Sequence, residues 1–158
     1  MERDTDELAS ELGPVLEFLR TVWAVNHAME RTSIRMESAL GLTAQQRLVL
    51  RILGQLPGMT PGQLAELLHV DRGSVTAIIK RLEARDQVMR GPDANDGRRV
   101  SLTLTAKGRC LDVPAQISVE RAVELALDRS TAADVAAVRR VLARLVTALD
   151  EVSGVLDG

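Results

Sequence analysis

Aromatic residues are nearly missing from this 158-residue chain: Phe18 and Trp23 are the only two, and there is no tyrosine. An interior built this way is aliphatic, and the aromatic platforms on which single-stranded nucleic acids stack are not available. Cysteine occurs once, at Cys110, which excludes an intramolecular disulfide framework and a cysteine-based metal cluster. Cys110 reads as a small, partly buried residue rather than a redox switch. With two histidines and no Gly-rich phosphate loop, the usual nucleophile, base and metal constellations are missing; no catalytic residue, metal ligand or cofactor is expected. No apolar run approaches the length of a membrane span, and the first residues are acidic and polar. A soluble cytoplasmic protein with no membrane partner is the expectation.

What is present is a globular composition, 46% hydrophobic and 27% charged, with room for one domain of usual size or a small domain with helical extensions. The net charge of −2 is unevenly placed. Between Thr60 and Cys110 nine Lys/Arg stand against six Asp/Glu, whereas the remainder has eleven against sixteen. Positive charge is thus gathered in one segment. A sequence-independent architectural DNA binder would be strongly basic throughout, which this chain is not.

Along the chain Leu8, Leu12, Val15, Leu19 and Val22 recur at helical spacing, continued by Met29, Met36 and Leu40, with Asn26 and Ser33 interrupting the stripe. Pro14 marks a first turn or a kink, and Gly41 is the expected stop. Thr43-Ala-Gln-Gln46 opens a second helix as a capping box, and Thr60-Pro-Gly-Gln63 opens a short third one. Asp71 is the expected cap of a fourth helix running to about Arg85. Val88–Arg90 and Val100–Leu104 read as the two strands of a hairpin. Thr105 caps a fifth helix, expected to bend at Pro114. Thr131-Ala-Ala-Asp134 opens a last helix whose apolar stripe runs Val135, Val138, Leu142, Leu145, Leu149, Val152, Leu156.

Pro61 to Leu82 has the pattern of two helices meeting at a sharp corner. Leu64 and Leu68 face Val75 and Ile78, Ala65 is small where the axes cross, and Val70 is expected to plug the turn. His69 stands where many such corners carry Gly, so the turn is expected to differ in detail. The outer face of the second helix offers Arg72, Ser74, Thr76, Ala77, Lys80 and Arg81: short hydroxyls and Arg72 for base edges, Lys80 and Arg81 for phosphates. Such a face is also compatible with plain solvation. The hairpin that follows carries Asp96-Gly-Arg98-Arg99 at its tip, where an Arg suits a narrow minor groove and an Asp two residues earlier can orient it.

Leu42-Thr43 with Gln46, Leu64-Ala65 through Arg85, Asp96-x-Arg98 and Leu104-Thr105-Ala-Lys-Gly108 together resemble the MarR family of winged-helix regulators. The resemblance implies a mainly α fold with a small β-hairpin wing, and a homodimer bound to pseudo-palindromic double-stranded DNA. It also implies repression relieved by a small ligand. By position it makes Arg98 the minor-groove residue and Asp96 its orienting partner. Residues 1–40 would be a dimerisation helix, 41–108 the winged helix-turn-helix DNA-binding domain and 109–158 C-terminal dimerisation helices. The expected DNA contacts are Thr60, Arg72, Ser74, Thr76, Ala77, Lys80, Arg81, Asp96, Arg98 and Arg99.

Two features depart from the family pattern. Members that sense peroxides carry a reactive cysteine near the start of the first helix, whereas the only cysteine here is Cys110, after the hairpin; and Arg47 follows Gln46 where many members carry an aromatic. The resemblance implies a ligand where the first, second and fifth helices meet. Trp23 and His27, four apart on the first helix, with Arg47 and Arg51, four apart on the second, are the expected effector site, taking a small aromatic or otherwise apolar anion. The competing readings are that Trp23 fills a dimer core and that the arginines are solvated or contact phosphate. A winged-helix protein-interaction module that never touches DNA is the alternative function; it has no use for Asp96, Arg98 or an Arg/Ser/Thr helix face.

Overall fold

The computed structural model describes residues 11–92 and 99–154. Asp96 and Arg98 at the hairpin tip, and Leu8 and Leu156 of the two apolar stripes, lie outside the described residues. In chain order the elements are α1 (Gly13–Leu40), α2 (Ala44–Gln55), α3 (Pro61–Leu68), α4 (Arg72–Ala84), β1 (Val88–Pro92), β2 (Val100–Leu104), α5 (Ala106–Leu111), α6 (Val119–Leu127) and α7 (Ala132–Gly154). They form two units, Met1–Val119 and Glu120–Gly158.

The boundaries follow from local chemistry. Pro14 sits in the first turn of α1, where a missing N–H costs nothing, and Gly41 closes the helix with φ of 69°. Thr43 and Thr60 each form a full capping box, with Gln46 and Gln63. Asp71 accepts the Ser74 N–H at the start of α4, and Thr105 accepts that of Gly108 at the start of α5. Thr131 and Asp134 bond reciprocally ahead of α7; hydrogen bonds from the Thr131 hydroxyl first, then from the Thr131 N–H, hold the Asp134 carboxyl below the usual carboxylate range.

In the first unit the core is aliphatic, as the composition requires. Leu42, Val49, Leu50, Leu53, Leu64, Ala65, Val75, Ile79, Leu82, Val88, Leu102 and Leu104 are buried together. The hairpin pairs antiparallel from Val88 opposite Leu104 to Pro92 opposite Val100. A bridge from Met59 to Leu102 adds a third edge to its base, through Leu102 N to Met59 O and Gly58 N to Leu102 O. Gly108 is fixed by crowding rather than by its dihedral: a Cβ there would lie 1.9 Å from the Gln87 carbonyl oxygen. That contact is the physical content of the Leu-Thr-x-x-Gly return.

Two expectations need correction. Val70 does not plug the corner; it is 44% exposed. His69 adopts the left-handed conformation (φ 52°, ψ 46°) that Gly would otherwise supply, and the Val70 N–H reaches back to Ala65 O. The corner thus closes as an ordinary helix C-cap with Val70 turned outward, and Ile79 with Leu82 fills the core instead. Nor is the fifth helix bent at Pro114. It ends at Leu111, and a separate helix begins at Val119. A proline disfavours the helical conformation in the residue before it as well as removing a donor. Here the freed carbonyls of Leu111 and Val113 accept hydrogen bonds from the Arg47 guanidinium.

In the second unit no described residue of α6 or α7 is buried. The α7 stripe is present as an open face: Val138, Leu142, Leu149 and Val152 are exposed, and Val135 and Leu145 half-buried. In the first unit α1 is similarly bare over Val15, Leu19 and Trp23, as is Leu12 just before it, and only Met36 near its end is buried.

Candidate nucleic-acid interface

α4 is held at both ends. At its start the Asp71 carboxylate takes the Ser74 amide on Oδ1 at 2.8 Å and the Ser74 hydroxyl on Oδ2 at 2.5 Å. These bonds, the hydroxyl first, keep the Asp71 carboxyl below the usual carboxylate range. Gly73 leaves room for this cap, since a Cβ would lie 2.9 Å from Asp71 Oδ1. At the other end the Arg85 guanidinium donates to the Gly41 carbonyl. The Lys107 ammonium donates to Arg85 O at 2.8 Å, and the Thr105 hydroxyl to Asp86 O at 2.6 Å. The C-terminus of α4 is thereby tied to the end of α1 and the start of α5.

Val75, Ile79 and Leu82 seat one side of α4 in the core, which leaves Arg72, Gly73, Ser74, Ala77, Lys80 and Arg81 exposed on the other. Thr76 is half-buried at the edge of that face, its hydroxyl donating to Arg72 O at 2.7 Å. Small residues alternate with cations, so a close partner surface meets backbone at Gly73 and Ala77 and charge on either side. Thr60 stands apart from this face: its hydroxyl caps α3 by accepting Gln63 N. Beside α4, Arg90 of β1 pairs with Glu83 at 2.7 Å, which orients the hairpin against the helix. Arg99 is exposed where the described chain resumes before β2. Sequence reasoning missed the Ser74–Asp71 pair, Arg85 and Lys107. A Ser three residues after an Asp at a helix start was a legible signal for the first; the other two join positions too far apart to pair by spacing.

The residues expected to form an effector site are not gathered. Trp23 is 78% exposed and His27 is exposed on α1. Arg47 is only 3% exposed; its Nη1 donates to Leu111 O at 3.2 Å and its Nη2 to Val113 O at 2.7 Å. Arg51 is engaged by Asp112 at 2.5 Å. A cavity of about 330 Å³ does lie beside Arg47, but Ala39, Leu40, Leu42, Cys110, Leu111 and the stretch from Val113 to Ile117 line it, without Trp23 or His27. The reason is helix length: from Trp23 to Ala39 α1 advances by roughly 24 Å. Cys110, expected to be partly buried, is exposed. Among the described residues no group of His, Cys, Asp or Glu is arranged to hold a metal ion, and no helix is long and apolar enough to cross a membrane.

A sequence model of the MarR family matches residues 42–100, the segment from Leu42 to the second strand. The HTH-type transcriptional repressor Rv2887 of Mycobacterium tuberculosis is 34% identical over 108 residues, 68% of this chain and 78% of that protein. The HTH-type transcriptional regulator TtmR of Methylorubrum extorquens is 39% identical over 90 residues, 57% of this chain. Those residues make up 46% of TtmR, so the chain spans less than half of that relative. Among solved structures, a point mutant of Escherichia coli MarR complexed with operator DNA superposes with a TM-score of 0.65 at 29% identity, covering 83% of this chain and 94% of that one. The family model covers the helical corner and the hairpin as far as the start of β2, and with a 34% identical relative covered over 78% of its length the chain is a member of the MarR family.

Proposed function

We propose that the protein is a transcriptional regulator that binds a pseudo-palindromic duplex as a homodimer, with α4 in the major groove and the hairpin tip in the adjacent minor groove. The observation that carries this reading is the outer face of α4, where Gly73 and Ala77 permit close approach between Arg72, Lys80 and Arg81. The E. coli MarR relative was solved on operator DNA, and Rv2887 is named a repressor; repression is the expected mode here. Arg72 is the candidate for bidentate contact with guanine, Lys80 and Arg81 for phosphates, and Arg98, oriented by Asp96, for the minor groove. The open apolar faces of α1 and α7 are the proposed dimerisation surfaces, since each is wider than the chain itself covers. The cavity beside Arg47, lined mostly by apolar residues together with Gln116 and that arginine, is the proposed place of a small aromatic or otherwise apolar anionic effector.

Selection of duplexes from a random pool by the purified protein tests the reading; an inverted repeat is expected. Arg98→Ala should then cost about 1–3 kcal/mol of operator affinity, whereas Arg72→Ala should relax preference at one position of each half-site. A protein that retains no duplex would instead be a protein-interaction module.

A further inference from the structure

The hydroxyls of Ser74 and Thr76 have their hydrogens placed by elimination. Ser74 Oγ lies 2.5 Å from Asp71 Oδ2, and an ionised carboxylate accepts only, so the hydrogen belongs to Ser74. Thr76 Oγ1 lies 2.7 Å from the Arg72 carbonyl, another obligate acceptor, so Thr76 is the donor there too. Both hydroxyl hydrogens are committed to groups of the protein itself, which leaves lone pairs alone for anything outside it. They border the part of α4 where Gly73 and Ala77 leave the helix surface low.

We propose that Ser74 and Thr76 meet base edges as hydrogen-bond acceptors only, and so select base pairs that present an exocyclic amino group, adenine N6 or cytosine N4, to the first two turns of α4. The proposal rests on the DNA-binding reading of α4 and adds its chemical specificity. In the major groove guanine offers two acceptors and thymine one acceptor with a methyl group; only adenine and cytosine offer a donor. Arg72, which carries donors alone, has the opposite requirement and suits guanine. The first turns of α4 therefore alternate in polarity: a donor at Arg72, acceptors at Ser74 and Thr76. Thr76 also carries a methyl group, and an adenine–thymine pair presents, beyond the thymine O4, a methyl group on the same groove edge as the adenine amino group. Position 76 is accordingly assigned adenine over cytosine.

Asp71 makes the assignment testable without touching the face itself. Asparagine caps a helix as well as aspartate does, so Asp71→Asn keeps the Ser74 amide bond. Its Nδ2 then points a donor at Ser74 Oγ, which accepts, and the Ser74 hydrogen turns outward. The expected result is that one position in each selected half-site moves from an amino-bearing base to guanine or thymine, with a change in preference of about 5- to 10-fold. The lost negative charge raises affinity for every duplex alike and does not alter that ratio.

Thr76→Val supplies the second arm. On the wild-type operator, purine in place of the assigned adenine, which removes only the amino group, should weaken binding about 3- to 10-fold. For Thr76→Val the same replacement should make no difference, and 7-deazaadenine should be neutral for both proteins. Helix content by circular dichroism shows that each variant is folded. Unchanged preferences in Asp71→Asn, or an undiminished purine penalty in Thr76→Val, would overturn the proposal while leaving the DNA-binding reading intact. A wild-type protein that selects no sequence would overturn both.

Discussion

His69 shows how a single residue holds a corner that Gly usually makes. The left-handed conformation crowds Cβ against the backbone, and His tolerates it less well than Gly, which has none. Asp86 takes the same conformation at the end of α4, so both ends of the corner motif are closed by residues under mild strain. His69→Gly should remove that strain, offset in part by the greater freedom of Gly in the unfolded chain. We expect a gain of about 0.5–1 kcal/mol and a rise of a few degrees in Tm, read by thermal denaturation followed by circular dichroism. A loss of stability would mean that the imidazole makes a contact that offsets its backbone cost. At this scale the sequence was largely readable. Thr43, Thr60, Asp71, Thr105 and Thr131 all cap where their spacing predicts, because a cap is decided within three residues. Val70 was misread because its direction depends on the handedness of His69, which no spacing records.

At the scale of elements, the informative junction is the break between α5 and α6. Pro114 was visible, but a bend and a full break differ only in what becomes of the carbonyls before it. Here Arg47 takes two of them from 64 and 66 positions away, and Arg51 takes the Asp112 carboxylate against Gly54. A pairing over such separations leaves no periodic trace, which is why both arginines looked free for a ligand. Arg47→Met keeps most of the buried stem and removes the donors. It should cost about 1–3 kcal/mol of stability and raise amide exchange in residues 109–113, while α4 and the hairpin remain protected. Equal loosening throughout the first unit would show that Arg47 supports the core as a whole.

At the scale of the molecule, the stripes on α1 and α7 were legible as heptad-like spacing, and the structure leaves them bare within the single chain. Fold class and the helical corner were readable for the same reason: each depends on periodicity, which survives without knowledge of partners. What periodicity cannot supply is distance along a rod, and the separation of Trp23 from Arg47 is of that kind. Sedimentation at micromolar concentration should return twice the 17.2 kDa protomer mass. A monomer with intact helices would exclude the proposed dimerisation surfaces. Trp23 adds an optical consequence. With one tryptophan and no tyrosine, nearly all near-ultraviolet absorbance and emission comes from one indole, and that indole stands on the bare flank of α1. The protein carries its own single-site dye. A shift of its emission toward the blue reports a change in water around Trp23, with no second chromophore to blur the signal.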